Sequence, residues 1–516
     1  MIEQHNSLAE KFIKKGFWLY LFSFIVAPIG YIIKIILSTD LAVDEIGIIY
    51  GVMSLMVLVS SFNDLGMAES LNKFIPEYIT KNRYDKVKSI LFYAIFAQAI
   101  TGSIIFLLFF FGADFLGNHY FHDIKSVNIV KIFSFFFLGS TFFHVINVFF
   151  QAIQNTFLQK ITELFRMLFI LSFTLYMFFT HIGTMFYYSL SWILGLYFGI
   201  IIAIIYFYRK YYLVYLKDVK IIYSKTLFLS IFKYALIVFL GSQASTLLSQ
   251  VDMQMIIYML GNTDAGYYTN YLSIIGIPFV IIGPIFGFLF PVFSELVAKE
   301  EHHKIKTIKS IFTKNFLSFS ISFSILFLVF GEIISTILFG DKFLQSGIIL
   351  QYSILFLSFN FLLQINFSIL AANGKIKERL KIILIALVFN TVLNIVFIKL
   401  IGVSGSALAT GFGWVLIWFL SELKLKEYHT SFDYKYLFKN ISVFALIGSG
   451  MYFFIVPLFS KINNRIYEFI FLTFISIVYF CIYFIVNLSD FKYFYKEIRK
   501  IKTGRKENIE YIGDTP

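Results

Sequence analysis

The stretches DEIGIIYG (44–51) and TDAGYYTN (263–270) align with Gly47 opposite Gly266, at an offset of 219 residues (266 − 47 = 219). One such match could arise by chance, because the chain contains 30 glycines. Two further pairs of glycine-centred stretches keep the same offset and the same hydropathy context: FFFGADF (109–115) with LVFGEII (328–334), and THIGTMF (180–186) with KLIGVSG (399–405). Three pairs in one register predict an internal duplication. A duplicated membrane bundle with a site between its halves is typical of a transporter.

The composition indicates a polytopic membrane protein. Of 516 residues, 59% are hydrophobic and 14% are charged, and the mean hydropathy is +0.80. A soluble domain cannot bury so much apolar surface. The formal net charge is +13, but most Lys and Arg occupy short loops between apolar runs. Membrane topology explains this charge, so no nucleic-acid partner is expected. The single Cys481 excludes disulfides within the chain and cysteine-based metal sites.

Apolar runs of spanning length predict an all-α fold with about 14 transmembrane helices: two six-helix lobes related by duplication, and two C-terminal helices. The first run is too long for the core of a signal peptide, so we expect an uncleaved helix. The predicted spans lie near 17–37, 46–68, 89–112, 129–152, 163–181, 184–207, 229–256, 265–291, 308–331, 348–371, 382–400, 403–421, 440–459 and 466–487.

Loop charges predict the orientation and the domain boundaries. Basic loops alternate with nearly uncharged ones, and residues 38–45 carry acidic side chains without Lys or Arg. By the positive-inside rule both termini are cytoplasmic, and six helices per lobe make the two lobes parallel. The predicted parts are a cytoplasmic N-terminus (1–16), an N-terminal lobe (17–208), a basic cytoplasmic linker (209–228), a C-terminal lobe (229–421), a cytoplasmic loop (422–439), helices 13 and 14 (440–487) and a basic cytoplasmic tail (488–516).

Three stretches resemble those of bacterial polysaccharide flippases. FNDLGMAESLNKFIPEY (62–78) resembles the end of their helix 2, and GYYTNYLSIIGIPFVIIGPIFGFLFPVFSEL (266–296) resembles their helix 8. NTVLNIVFIKLIGVSGSALAT (390–410) resembles their helix 11–12 turn. The chain is thereby similar to the oligosaccharide flippases of O-antigen, capsule and teichuronic acid export, in the multidrug/oligosaccharidyl-lipid/polysaccharide exporter superfamily.

This resemblance implies two lobes that form a V around a central cavity, with alternating access to that cavity. The implied cargo is a polyprenyl-diphosphate-linked oligosaccharide, moved from the cytoplasmic to the outer leaflet of a bacterial cell (inner, cytoplasmic) membrane for lipopolysaccharide or other cell-surface polysaccharide. The implied partners are the lipid bilayer, a polysaccharide polymerase and glycosyltransferases. We expect no enzymatic activity and no cofactor, and we leave coupling to an H⁺ or Na⁺ gradient open.

The polar head of such a cargo requires a wet cavity, because an isolated ion costs roughly tens of kcal/mol to transfer into hydrocarbon. Polar residues at helical spacing within the apolar spans are candidates for the cavity lining. Hydrogen bonding between helices is their alternative role. The candidates are Asn63 and Asp64 in span 2; His144, Asn147 and Gln151 in span 4, beside Thr141 and Asn155; Gln243 and Gln250 in span 7, within a stripe that includes Ser242, Ser245 and Ser249; and Gln364 in span 10, beside Asn360 and Asn366.

Two opposite charges in the outer parts of spans 1 and 7 suggest an outer gate. The repeat offset places Lys34 opposite Met253, one residue from Asp252. Charges inside spans are costly and are usually paired or functional. We therefore expect Lys34 and Asp252 to pair across the lobe interface when the cavity faces the cytoplasm. In the alternative, Lys34 snorkels to the outer surface and Asp252 caps locally.

Three cations toward the cytoplasm are candidates for binding the diphosphate through charge-assisted hydrogen bonds. Arg166 is the strongest because it lies furthest inside an apolar run, and Lys73 and Lys233 are weaker. A structural pair of Arg166 with Glu163 or Asp64 is the alternative. His144 is a weaker candidate for proton coupling, and no metal site is expected.

Three rival functions remain. A multidrug exporter of the same superfamily, driven by Na⁺ or H⁺, typically has 12 helices and an acidic site in its N-terminal lobe. A peptidoglycan-precursor flippase has more Arg in its first helix and cavity than this chain. A membrane glycosyltransferase or polymerase requires long outer loops, which this chain lacks, and no phosphate-cradling Gly-x-x-x-x-Gly-Lys motif is present.

Overall fold

Helices make up the whole of the fold in the computed structural model, which describes residue 22, residues 24–430 and residues 432–492. These described residues form 18 α-helices and no strands. The predicted cytoplasmic N-terminus (1–16) and most of the predicted tail (488–516) lie outside them. The helices are α1 (24–40), α2 (Val43–Asp64), α3 (Met67–Thr80), α4 (Tyr84–Phe111), α5 (Ala113–His119), α6 (Lys125–Ala152), α7 (Thr156–Phe179), α8 (Met185–Phe207), α9 (Lys225–Met259), α10 (Asn262–Ala298), α11 (His302–Phe339), α12 (Leu344–Ser353), α13 (Leu357–Ala372), α14 (Ile376–Ile401), α15 (Val403–Lys424), α16 (Tyr434–Gly450), α17 (Val456–Phe459) and α18 (Arg465–Val486).

The helical segments agree with the predicted spans. Within the described part of the chain, 12 segments are long and apolar enough to cross a membrane. They include α8 together with its π-helical continuation Tyr208–Leu216. The two remaining predicted spans are also helical, as α1 and α9. The chain is therefore an all-α polytopic membrane protein, as predicted.

The second predicted span ends earlier than expected. Residues 46–68 were predicted as one helix, but α2 ends at Asp64 and the chain turns through Leu65 (φ 49°) and Gly66 (φ 74°). A Cβ on Gly66 would also meet the backbone carbonyl of Ala235 in α9, so both the conformation and the close approach favour glycine. The following helix, α3, buries Met67, Leu71 and Ile75 on one face at intervals of four residues.

The helices pack as two bundles that meet along α2. In the N-terminal bundle α6 packs against α4 and α8, and α7 packs against α8. In the C-terminal bundle α15 packs against α13 and α14, and α14 packs against α9. The additional C-terminal helices α16 and α18 pack against α11. The interface between the bundles is formed where α2 lies along α10 and α9, and where α3 packs on α9.

The contacts across this interface are reciprocal at the repeat offset. A Cβ on Gly47 would fall on the backbone carbonyl of Asn262, and a Cβ on Gly266 would fall on the backbone carbonyl of Val43. Val43 and Asn262 are themselves 219 residues apart. Two helices that cross at a two-fold axis make equivalent contacts in both directions, so the axis passes between Gly47 and Gly266.

Two further pairs of contacts follow the same rule. Ser54 donates a hydrogen bond to Gln250 Oε1 at 2.7 Å, and Tyr31 donates to the carbonyl of Ser273 at 2.8 Å. Ser273 is the repeat equivalent of Ser54, and Gln250 is the equivalent of Tyr31. In the second pair of contacts, Asn270 Nδ2 donates a hydrogen bond to Ser38 Oγ at 3.1 Å, and the side chain of Ile257 packs against Gly51. The first helix of each lobe therefore packs on the second helix of the other lobe.

These contacts close one end of the interface. We call the end that carries residues 38–45 and 260–264 the outer side, and the opposite end the cytoplasmic side, following the charge-based prediction. The crossing of α2 with α10 and the reciprocal contacts of Tyr31, Ser38 and Gly47 lie toward the outer side, and we call them the outer seal. Further along α10, a Cβ on Gly283 or Gly287 would meet no atom of the described residues within 4 Å. The described contacts between the lobes are thus closest at the outer side.

Candidate functional site

A cavity of about 520 Å³ lies between α2 of the N-terminal lobe and five helices of the C-terminal lobe, α9, α10, α13, α14 and α15. Apolar groups such as Met53, Leu248 and Trp414 form part of its wall. Its polar lining comes from Ser54, Gln250, Asp252, Asn360, Gln364 and Arg379. A cavity with mixed polar and apolar walls between two lobes is the expected position for a transported substrate.

Asp252 is the acidic group of this cavity, and it is held entirely within the C-terminal lobe. Its carboxylate accepts hydrogen bonds from Tyr268 at 3.0 Å, from Asn394 Nδ2 at 2.7 Å and from Thr410. The side chain is only 6% exposed. No cationic side chain among the described residues forms an ion pair with it. A buried carboxylate that has only neutral donors lacks a compensating positive charge, which a bound cation can supply.

The surroundings of Asp252 supply further oxygen atoms. Asn394 Oδ1 is buried and has no hydrogen-bond partner in the described part of the chain. Asn390 Oδ1 accepts from Asn394 at 3.0 Å. Carboxylate, amide and hydroxyl oxygens are ligands for hard cations. No group of three or more His, Cys, Asp or Glu side chains occurs in the described residues, so the arrangement does not resemble a transition-metal centre.

Lys34 reaches the lobe interface, but it does not pair with Asp252 as predicted. Its ammonium group donates to the carbonyl and hydroxyl of Thr269, the latter at 3.0 Å, and to Ser273 Oγ at 2.7 Å. It also lies 4.3 Å from the ring centroid of Tyr50. The side chain is 6% exposed, so Lys34 does not snorkel to the surface either. It instead stabilises the outer seal by joining α1 to α10.

The reason for this difference lies in the crossing of the helices. Across the two-fold axis α1 packs on α10 and α9 packs on α2, so residues of α1 and α9 at equal depth face different helices. The repeat equivalent of Lys34 is Met253, and one step along a helix turns a side chain by about 100°. That step directs Asp252 toward Asn394 and Thr410 in its own lobe.

The N-terminal lobe carries a second acidic group beside a histidine. Asp64 Oδ1 accepts from Gln98 Nε2 at 3.0 Å and lies 3.3 Å from His144 Nε2. The His144 side chain is 47% exposed although it lies within α6, a helix long and apolar enough to cross a membrane. Ionisable groups inside a span are costly and are usually paired, as Asp64 and His144 are here. Asn63 is instead buried, where it accepts a hydrogen bond from Thr101 at 2.8 Å.

The three predicted phosphate ligands lie outside the wall of the described cavity. Arg166 forms a two-point ion pair with Glu163, in which Nε lies 3.1 Å from Oε2, so the structural alternative is present. Lys73 lies 4.0 Å from the ring centroid of Tyr234, at the contact of α3 with α9, and Lys233 is exposed. None of the three lines the described cavity, and their role in phosphate binding stays a prediction.

The other predicted lining residues divide into two groups. Gln250 and Gln364 line the cavity, with Ser245, Ser249 and Asn360. Asn147 and Gln243 act between helices, since Asn147 accepts from Thr162 at 2.9 Å and Gln243 accepts from Ser61 at 2.6 Å. Gln151 is exposed at the end of α6, and the side chain of Ser242 lies outside the described residues.

The residues missed by the sequence analysis lie on α14 and α15. Asn390 and Asn394 are four residues apart on α14 and therefore share a face, and Thr410 is on the packed helix α15. That spacing is a signal that the two asparagines line one face, in addition to their place in the family-like stretch 390–410. Arg379 precedes the predicted span 382–400, so its sequence position does not distinguish it from the basic residues of a loop.

Comparison with known proteins agrees with this architecture. The family model described as "Polysaccharide biosynthesis protein" matches residues 12–297, more than half of the chain. The chain belongs to this family. The match confirms the resemblance drawn from the three sequence stretches.

Individual relatives extend the comparison to the whole chain. An uncharacterized membrane protein from Methanocaldococcus jannaschii is 27% identical over 526 aligned positions, covering 94% of this chain and 98% of that protein. The solved structure of the lipid II flippase MurJ, in an inward closed conformation, has a TM-score of 0.72 at 15% identity and covers 91% and 99% of the two chains. An inward-facing multidrug resistance MATE family transporter of the MOP superfamily has a TM-score of 0.65 at 12% identity, covering 79% and 98%. The chain thus shares the fold of these two proteins.

Proposed function

We propose that this chain is a flippase that moves a polyprenyl-diphosphate-linked oligosaccharide from the cytoplasmic to the outer leaflet for cell-surface polysaccharide synthesis. The observation that carries the proposal is the match of residues 12–297 to the polysaccharide biosynthesis family. The polar cavity between the lobes supports it, because the head group of such a lipid is polar while its tail is soluble in the bilayer. The chain itself is proposed to catalyse no chemical reaction.

Release of the cargo at the outer side requires the lobes to separate at the outer seal. In the described structure the outer seal is packed to backbone contact at Gly47 and Gly266. The cavity between α2 and the C-terminal lobe is therefore proposed to load from the cytoplasmic side. Rocking of the lobes about their interface would then break the outer seal and expose the head group to the other side.

Asp252 is the proposed site of coupling to an ion gradient. Its carboxylate has three neutral hydrogen-bond donors, and Asn394 Oδ1 nearby has no hydrogen-bond partner among the described residues, so the site suits a proton or an alkali cation such as Na⁺. An ion can drive the conformational change only if it binds the two states with different affinity. Asn394 and Thr410 are on α14 and α15, so movement between these helices and α9 would change that affinity.

A multidrug exporter is the second candidate, because the MATE family transporter shares the fold. The two candidate functions differ in the charge of the cargo that the cavity must accommodate. Arg379 in the cavity wall favours an anionic head group over the organic cations that such exporters are expected to carry. The family match favours the same choice.

The proposed setting is a cell membrane with both termini in the cytoplasm, where glycosyltransferases build the cargo and a polymerase consumes it. The loop charges support this orientation. The relative from Methanocaldococcus jannaschii extends the comparison to an archaeal membrane protein, so the proposal is not restricted to bacteria.

Reconstitution into vesicles tests the proposed function. The purified chain is incorporated with a fluorescent polyprenyl-diphosphate disaccharide, and an impermeant quencher reports the fraction of the lipid in the outer leaflet. We expect faster exchange between leaflets than in protein-free vesicles. Exchange equal to that of protein-free vesicles, together with gradient-driven efflux of ethidium, would instead identify a drug exporter.

A further inference from the structure

Arg379 is a cationic residue in the wall of the central cavity, and it forms no ion pair with any acidic residue that the structure describes. It lies in the first turns of α14 at the cytoplasmic end of the cavity, and its side chain forms part of the cavity wall. We propose that Arg379 binds the diphosphate group of the lipid-linked substrate. This inference rests on the proposed function and names the residue that recognises the charged group of the cargo.

The acidic groups near Arg379 are engaged by other cations. Glu378 lies 2.9 Å from Lys424 and 3.4 Å from Lys381. Glu427 lies 3.1 Å from Lys375. In the described residues no carboxylate lies within ion-pair distance of Arg379. The positive charge at the mouth of the cavity is therefore available to a ligand.

Lys309, a buried lysine of the same lobe, differs from Arg379 because it has an acidic partner. Lys309 is 1% exposed and forms an ion pair with Glu422 at 2.8 Å. Such pairing is the usual way in which a protein accommodates a cation away from bulk water. Arg379 is half-buried in a membrane protein and lacks this compensation, which an anionic ligand would supply.

The orientation of the guanidinium suits a phosphate ligand. Its central carbon lies 4.8 Å from the ring centroid of Phe367, a buried residue of α13 that also lines the cavity. A guanidinium placed against a ring is held in position, while the N–H donors at its edge remain free. Two of these donors match two phosphate oxygens, a geometry that lysine cannot provide.

The rest of the cavity fits the remainder of the head group. Arg379 and Asn390 both line it and are 11 residues apart on α14 (390 − 379 = 11), which is about 16 Å along a helix. The helices α9 and α13 line the same cavity with the amides of Gln250, Asn360 and Gln364. Amides can both donate to and accept from sugar hydroxyls. The diphosphate is thus placed at the cytoplasmic mouth, with the sugars deeper and the tail left in lipid.

A binding experiment with matched variants tests the assignment. The detergent-purified full chain is titrated with polyprenyl diphosphate, with inorganic diphosphate and with polyprenol, and the intrinsic tryptophan fluorescence is followed, to which Trp414 in the cavity wall contributes. Loss of a charge-assisted hydrogen bond predicts that Arg379→Gln binds polyprenyl diphosphate about ten- to a hundredfold more weakly. Arg379→Lys should retain part of the affinity. The control is Lys377→Gln, which removes an exposed charge two residues away and should bind like the parent.

The outcomes separate this inference from the proposed function. Equal affinity of Arg379→Gln and the parent for polyprenyl diphosphate would overturn the assignment and leave the function standing. Failure of the parent to bind polyprenyl diphosphate at all would overturn the function as well. Equal binding of inorganic diphosphate would point to a soluble anion and contradict the lipid source. Gel filtration of each variant shows that a loss of binding is not a loss of folding.

Discussion

Asp252 and Arg379 place opposite charges at two positions in the wall of the cavity. Asp252 accepts hydrogen bonds from Tyr268, Asn394 and Thr410, whereas Arg379 lies on the Phe367 ring at the cytoplasmic mouth. The anionic part of a cargo is attracted to the second and repelled by the first. A proton or cation at Asp252 would remove that repulsion, which links ion binding to cargo movement through charge alone.

The residue-level prediction concerns Asp252→Asn. The amide keeps the size of the side chain but removes the charge that attracts a proton or cation, so stimulation of flipping by an imposed ion gradient should disappear. The initial rate under the gradient should fall about tenfold or more, equivalent to ~1.4 kcal/mol in the barrier. Vesicle assays with and without H⁺ and Na⁺ gradients measure the effect. The matched control is Asp114→Asn, whose side chain is 70% exposed; full gradient stimulation in Asp252→Asn would exclude the coupling role.

Sequence reasoning identified some of the cavity residues and misplaced others. Gln250 and Gln364 were predicted as lining residues and lie in the wall of the described cavity, because polar side chains inside apolar spans have few other environments. Asp252 lies in the same wall, although it was predicted as part of an outer gate. Asn147 and Gln243 have the same sequence signature but join neighbouring helices. Arg379 could not be distinguished from topological charges, since only the fold shows that its neighbouring carboxylates are already paired.

The crossing of α2 and α10 is the element on which the outer seal depends. Each helix presents a glycine to a backbone carbonyl of the other, so the two main chains approach without intervening side chains. Such small-residue contacts allow close helix packing in membranes. Because the two contacts are reciprocal, either glycine should be equally necessary for closure of the outer side.

The element-level prediction is that Gly47→Ala and Gly266→Ala both open the outer seal. The added methyl group would overlap a carbonyl, and overpacking of this kind costs about 1–3 kcal/mol. In a background with Cys481→Ser, labelling of Ser54→Cys by an impermeant maleimide from the outer side should accelerate about tenfold or more. The control is Gly283→Ala on α10, where an added Cβ would meet no atom of the described residues within 4 Å. Unchanged labelling in both variants would show that the glycine crossing does not hold the outer side closed.

Among the elements, hydropathy predicted the spans but not the helices that lie outside them. The predicted spans correspond to helices because 20 or so apolar residues have no alternative in a bilayer. α3 was missed because its apolar residues recur every fourth position and its mean hydropathy resembles that of a loop. The predicted Lys34–Asp252 contact was wrong because equal depth along two helices does not specify which neighbour each helix faces.

At the scale of the whole molecule, the two lobes are related by approximate two-fold symmetry, but the polar residues inside them differ. Three sets of reciprocal contacts keep the 219-residue offset at the outer seal, although the residues themselves differ. The N-terminal lobe offers Asp64 with His144 and Glu163 with Arg166, whereas the C-terminal lobe offers Asp252 and Arg379. A shared scaffold with divergent inner faces suits a cargo whose charged, sugar and lipid parts require different surroundings.

Reversible locking of the outer seal tests the central claim most directly. Ser38 Oγ and Asn270 Nδ2 lie 3.1 Å apart across the lobes, so Ser38→Cys with Asn270→Cys, in the Cys481→Ser background, allows a disulfide or a short bis-thiol cross-link. The account predicts that the reduced protein flips a polyprenyl-diphosphate-linked oligosaccharide in vesicles, that the cross-linked protein does not, and that reductant restores a disulfide-locked sample. Each single cysteine variant should flip under both conditions. Equal flipping before and after cross-linking would contradict alternating access through the outer seal, and no flipping by the unmodified protein would contradict the proposed cargo.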